Sequence, residues 1–164
     1  MRAREVIADL VYGANDGIVT TFAVVASVVG AGLESRVILI IGIASLAADG
    51  FSMATSDYLA SRSQQQAQDR PESRRSAAIS GLMTFLAFVT AGSLPLVPYL
   101  VASGAPSLFW WTAAMTAAAL FIVGALRTIV TGANWLRSGL EMLTVGGAAV
   151  LIAYWLGRFT AQYT

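Results

Sequence analysis

Hydrophobic and polar positions along the chain fall into five long apolar runs separated by short polar breaks. Crossing about 30 Å of hydrocarbon as a helix takes about 20 residues at 1.5 Å each. The runs extend from about Leu10 to Gly32, Val37 to Leu59, Ala77 to Val101, Leu108 to Leu126 and Ser138 to Gly157. Each is long enough to span a membrane. Glu34, Ser35 and Arg36 leave so short a connection that the first two spans form a tight hairpin. Gly104, Pro106 and Ser107 mark the turn between spans three and four, and residues 131–137 join spans four and five. The long polar stretch is Ser61 to Ser76, interrupted by Pro71. The pattern predicts an all-α integral membrane protein with five transmembrane helices, forming a single transmembrane domain over residues 1–164. The opening MRAREVIADL holds two acids and no small-residue cleavage site, so no removable signal is expected.

Composition agrees. Of 164 residues, 57% are hydrophobic and 12% charged, against about 25% charged in a soluble domain. Mean hydropathy is +0.70. Net charge is +1 and every basic residue is Arg, with no dense basic patch, so no nucleic-acid partner is expected. Cys and His are both absent. That excludes disulfides, Cys/His zinc sites, His-ligated haem and Ser-His-Asp triads. Metal chemistry in this chain must use carboxylates, amides, hydroxyls, carbonyls and Met sulfur.

The arginines predict orientation. With five spans, Arg2, Arg4, Arg62, Arg70, Arg74, Arg75, Arg127 and Arg137 fall on one side, and Arg36 and Arg158 on the other. Positive residues stay inside. The N-terminus is therefore expected in the cytoplasm and the C-terminus outside. Trp110, Trp111, Trp155 and Tyr99 fall near the outer interface and read as belt anchors.

An ionisable residue near a helix centre costs about 2.5–3.5 kcal/mol on insertion scales, so each needs a reason. The candidates are Asp16 in span one, Asp49 and Asp57 in span two, and Glu141 in span five. Asp9 and Glu5 lie at the cytoplasmic end and are expected to be solvated. Counting residues places Asp16 about 9 Å inside the cytoplasmic edge, Asp49 about 12 Å and Met53 about 6 Å. Asp49, Met53 and Asp57 are four residues apart and share a helical face. The three carboxylates and the thioether are thus expected to converge nearer the cytoplasm. Asp57 at a helix end also fits snorkelling, and Asp16 between Asn15 and Gly17 also fits a structural hydrogen bond. Met53 alone fits packing. Glu141, four residues after Arg137, also fits stabilising the start of its helix. Asp49 has no such ordinary reading, lying deep with no basic neighbour.

Carboxylates clustered in low dielectric repel one another, so at least one holds a proton. A divalent cation can replace that proton, which makes Asp16 and Asp49 the expected proton-coupling pair. Oxygen ligands suit Mg²⁺, Ca²⁺ and Mn²⁺, and a thioether adds tolerance for softer Fe²⁺. Gly13 and Gly17 form a small-xxx-small pair beside Asp16. They predict a homodimer with span one at or near its interface. Pro95 and Pro98 break the hydrogen-bond ladder of span three near the outer face, either shaping an exit or ending the helix.

DLVYGANDGIVTTFAVVASVVGAG, LAADGFSMATSDYLASRS, LPLVPYL and RSGLEML, in this order, resemble the vacuolar iron transporter family over nearly the whole chain. The resemblance implies five membrane helices, a dimer, and export of Fe²⁺, often also Mn²⁺, from the cytosol in exchange for protons. The metal is cargo, and no cofactor is implied. Asp16 matches the family's metal-binding Asp in NDG, and Met53 its Met in SM. Asp57 in SDY stands where many members have Glu in GEY, and Asp49 where many have a small residue. Members from plants and fungi insert a Glu-rich cytosolic domain between spans two and three. About 16 residues occupy that position here, so the chain resembles a compact prokaryotic branch, which implies a cell (inner) membrane. Two other classes compete. One is a membrane subunit that transports nothing. The other is an intramembrane aspartyl protease using Asp16 and Asp49, although the paired YD and GxGD motifs are missing.

Overall fold

The computed structural model of the chain describes residues 3–67, 74–102 and 107–163, with side chains from residue 6 and from residue 76 in the first two segments. It comprises α1 (Ala3–Gly30), α2 (Ser35–Ala67), α3 (Arg74–Gly92), a 3-10 turn (Leu94–Leu96), α4 (Val97–Val101), α5 (Leu108–Leu126), α6 (Thr128–Thr131) and α7 (Trp135–Thr160). No strand occurs among the described residues. Five segments are long and apolar enough to cross a membrane, with α3, the turn and α4 forming one and α5 with α6 another. The five-helix expectation holds. The turn residues Gly104 and Pro106, and residues 68–73 of the polar stretch, lie outside the described residues.

Local chemistry explains where the helices stop. At Gly32, φ is +70°, a left-handed conformation that glycine adopts without steric cost. The Leu33 N–H then donates to Val28 O at 3.1 Å and the Gly32 N–H to Val29 O at 3.0 Å. This paired closure satisfies the last carbonyls of α1 and reverses the chain into α2. Asn134 caps α7, its Oδ1 accepting from the Leu136 N–H at 2.9 Å and the Arg137 N–H at 3.4 Å. Span three is broken as Pro95 and Pro98 require. Both lack an N–H, and the chain tightens into the 3-10 turn before resuming as α4.

Two expectations change. Helix α2 does not end at Leu59 but runs on to Ala67. No Gly or Pro interrupts ASRSQQQA, and its Ala, Arg and Gln are good helix formers. At 33 residues it is about 50 Å long, well beyond the hydrocarbon thickness. Trp110, Trp111 and Trp155 are exposed as belt residues should be, but Tyr99 is only 6% exposed and belongs to the core.

Helix α1 is the centre of the bundle, packed against α3 and α7 and, less extensively, α2 and α5. Phe22, Val25, Phe88, Ile38 and Leu96 lead the buried core around it. Its approach to α3 is at backbone distance. A Cβ on Gly13 would lie 2.5 Å from Thr84 O, and one on Gly17 would collide with Phe88 O. Gly13 and Gly17 are therefore buried inside the chain. The expectation that they form the surface between two subunits is corrected: the small-xxx-small pair is used, but on α3. On its other side α1 meets α7 the same way, with Gly30 against Tyr154 O and Gly157 against Ser27 O.

Gly17→Ala is expected to lower the thermal unfolding midpoint of the detergent-solubilised protein, reflecting about 1–3 kcal/mol of overpacking. Gly147→Ala, at a helical position with nothing within 4 Å of the new methyl, should leave the midpoint unchanged or raise it slightly. Equal midpoints for the two variants would refute the backbone-contact account.

Candidate functional site

Asp16 sits midway along α1, half-buried. The helix around it is braced by Thr20, whose hydroxyl donates to the Asp16 main-chain oxygen at 2.7 Å. Next to it, the Asn15 carboxamide oxygen is buried with no hydrogen-bond partner. Asp49 on α2 is the charged group whose field reaches Asp16. Unlike Asp16, Asp49 is exposed, and the Ser45 hydroxyl one turn earlier donates to its Oδ2. Met53 is half-buried and packs against the core. Among the described residues the ion pairs are Glu34 with Arg36 at 2.7 Å and Arg127 with Glu141 at 3.6 Å. Neither involves Asp16 or Asp49. Two carboxylates thus lie within membrane-spanning helices with no ion pair among the described residues.

Asp57 is turned elsewhere. Its Oδ2 accepts from the Ser80 hydroxyl at 2.9 Å and the Thr84 hydroxyl at 2.8 Å, both on α3. Asp9 on α1 joins this junction, its Oδ2 accepting from Ser80 at 2.6 Å. A serine hydroxyl has one hydrogen, so Ser80 donates to one of the two carboxyls at a time. Helical geometry accounts for the split. Four residues advance an α-helix by about 40° beyond a full turn, so from Asp49 to Asp57 the stripe rotates away from the open face and onto α3. The expected convergence of three carboxylates is corrected accordingly. No group of three or more acids able to hold a metal ion occurs among the described residues. Asp9, expected in solvent, is instead half-buried and hydrogen-bonded.

Glu141 does not join the acids of α1 and α2. It stands exposed on α7 and pairs with Arg127 at the end of α5, rather than with Arg137. Sequence reasoning passed over Ser45, Ser80 and Thr84. The signal for Ser45 was present, since it precedes Asp49 by one helical turn. Ser80 and Thr84, also one turn apart, could be connected to Asp57 only once α3 was known to lie against α2.

The model of the VIT family matches residues 7–80 and 68–158 of the chain. The two matched pieces overlap at residues 68–80, from the segment joining α2 to α3 into the start of α3. Vacuolar iron transporter 1 of Arabidopsis thaliana is 25% identical, with 95% of this chain and 86% of that protein covered. Vacuolar iron transporter 1 of Tulipa gesneriana is 26% identical, over 95% and 87%. The vacuolar iron transporter of Toxoplasma gondii is 24% identical, over 90% and 72%. The alignment with the Arabidopsis protein occupies 217 positions, more than the 164 residues present here. That relative therefore carries segments this chain lacks.

Ser80→Ala removes a donor that serves both Asp9 and Asp57 in a buried junction. It is expected to cost about 1–3 kcal/mol, seen as a lower unfolding midpoint. Ser45→Ala, whose carboxylate partner is exposed, should cost less than half as much in the same measurement. The reverse order would dissociate the α1–α2–α3 junction from stability.

Proposed function

The chain belongs to the VIT family, and from that premise we propose that it is a homodimeric membrane transporter that exports divalent iron, and also manganese, from the cytosol in exchange for protons. Asp16, Asp49 and Met53 are its cargo ligands. The reading is carried by the coupled pair Asp16 and Asp49, which has no cation among the described residues although both acids lie in membrane-spanning helices. An acid placed there needs a compensating charge. A divalent ion supplies it when cargo is bound, and protons supply it when cargo is absent, so the exchange is built into charge balance. Met53 adds a polarizable sulfur that favours Fe²⁺ over harder ions. Transport is also the activity that the named relatives carry, which favours a transporter over the protease reading.

The homodimer rests on the open face of α2. Asp49 is exposed at a depth where lipid would otherwise touch it. Ala44, Ala48, Ser52 and Ser56 follow one another every four residues and are exposed on the same helix. Small residues at that spacing allow two helices to approach closely. A second copy related by a two-fold axis would cover both acids and double the ligand set. One chain alone offers two carboxylates and a thioether, too few for a complete coordination shell. Asp57 and Glu141 stand outside this site, the first bracing α3 and the second pairing with Arg127. The positive-inside distribution supports a cytoplasmic N-terminus. The compact chain fits a cell membrane, across which the cargo would leave the cell.

Metal and proton flux measured together in proteoliposomes test the mechanism. Asp16→Asn and Asp49→Asn should each reduce both fluxes by about tenfold or more, as expected for losing a ligand whose mere supporting partners are worth 10–100-fold in affinity. Wild-type coupling in Asp49→Asn would remove it from the mechanism. Met53→Ala should weaken Fe²⁺ transport more than Mn²⁺ transport, and equal losses would assign Met53 to packing alone. Ala48→Trp should dissociate the dimer in nanodiscs and abolish flux, whereas a fully active monomer would sink the dimer arrangement.

A further inference from the structure

On the α4–α5 side of the bundle, three hydroxyls are buried without a well-formed hydrogen bond to a protein group: Tyr99 Oη, Thr112 Oγ1 and Thr116 Oγ1. Their residues are 6%, 0% and 1% exposed. Tyr99 lies on α4, while Thr112 and Thr116 are one turn apart on the buried stripe of α5. Helices α4 and α5 are in contact, and the Tyr99 hydroxyl is close enough to that of Thr112 to interact with it. The three oxygens therefore occupy one corner of the fold.

Threonines in helices, buried or exposed, can satisfy themselves by donating to a carbonyl three or four residues back. This chain does so repeatedly. Thr20 donates to Asp16 O at 2.7 Å, Thr90 to Leu86 O at 2.6 Å, and Thr144 to Glu141 O at 2.8 Å. Thr112 and Thr116, the most buried of the α5 side chains, do not. An unsatisfied buried hydroxyl costs about 1–3 kcal/mol, and three in one corner of a membrane protein call for a hydrogen-bonding occupant.

We propose that Tyr99, Thr112 and Thr116 hold ordered water on the α4–α5 side of the bundle, at a hydration site separate from Asp16 and Asp49. Water fits because it needs two to four polar partners, and three hydroxyls that both donate and accept supply them. A divalent ion does not fit. The donor set carries no negative charge to offset the loss of the ion's hydration shell. The surrounding Leu96, Leu108 and Ile38 are apolar, which confines the water to the hydroxyl row. The site does not depend on what the protein transports.

Hydroxyl-radical labelling of the full-length protein in nanodiscs, read by mass spectrometry, tests this directly. Radicals formed from bound water mark adjacent side chains even where bulk solvent has no access. Tyr99 is expected to be labelled severalfold above Phe88, a buried aromatic of the same core that carries no hydroxyl. The double variant Thr112→Val with Thr116→Val keeps the side-chain shape and should bring Tyr99 down to the Phe88 level. Its unfolding midpoint should fall, because water loses its partners. Labelling of wild-type Tyr99 no greater than Phe88, labelling unchanged in the valine variant, or a raised midpoint would each overturn the proposal. These readouts involve no metal or proton flux, so their failure leaves the transport reading standing, and the converse also holds.

Discussion

The arrangement depends on α1 lying at backbone contact with two neighbours at once. Gly13 and Gly17 admit the carbonyls of α3, and Gly30 and Gly157 admit those exchanged with α7. Between apolar helices in lipid there is little hydrophobic gain from association, so close van der Waals packing must supply much of it. With α1 held on two sides, its remaining contacts with α2 bring Asp16 within the field of Asp49. A larger residue at Gly17 would move the helix that carries Asp16, because it would press on the main chain of α3 rather than on a yielding side chain.

The low dielectric of the membrane then sorts the acids into two kinds. Those facing inward are served by hydroxyls: Ser80 and Thr84 reach Asp57, and Ser80 also reaches Asp9. These carboxyls join α1, α2 and α3 and are well explained as architecture. Asp16 and Asp49 are not served in this way, apart from Ser45 at Asp49. Under the proposed function, their charge is balanced by something that comes and goes. A transported cation exchanged for protons meets that requirement, and a permanent basic partner would defeat it.

Polar satisfaction distinguishes α5 from its neighbours as well. Threonines on α1, α3 and α7 bend back to their own helices. The pair on α5 faces Tyr99 and the broken third span, where Pro95 and Pro98 have already disturbed the backbone pattern. A hydrated corner there and the pair Asp16 and Asp49 would give the chain two polar regions inside one apolar envelope.

The sequence by itself determined the class, the number of spans and the residues worth watching. These are properties of composition and length: about 20 apolar residues make a span wherever they occur, and an acid within one is conspicuous by its cost. The glycine pair and Asp16 were legible for the same reason, as small and charged positions on an apolar helix. What each faces was not legible. Periodicity says which residues share a helix face, but not which neighbour that face meets. Gly13 and Gly17 were therefore assigned to a second subunit, although α3 covers them. Likewise Asp57 was grouped with Asp49, although the rotation of the helix delivers it to Ser80 and Thr84. Tyr99 was read as an interfacial anchor from its place near a helix end, and only the fold of α4 against α5 shows it buried. Those outcomes rest on contacts between residues distant in the chain, which only the tertiary structure decides.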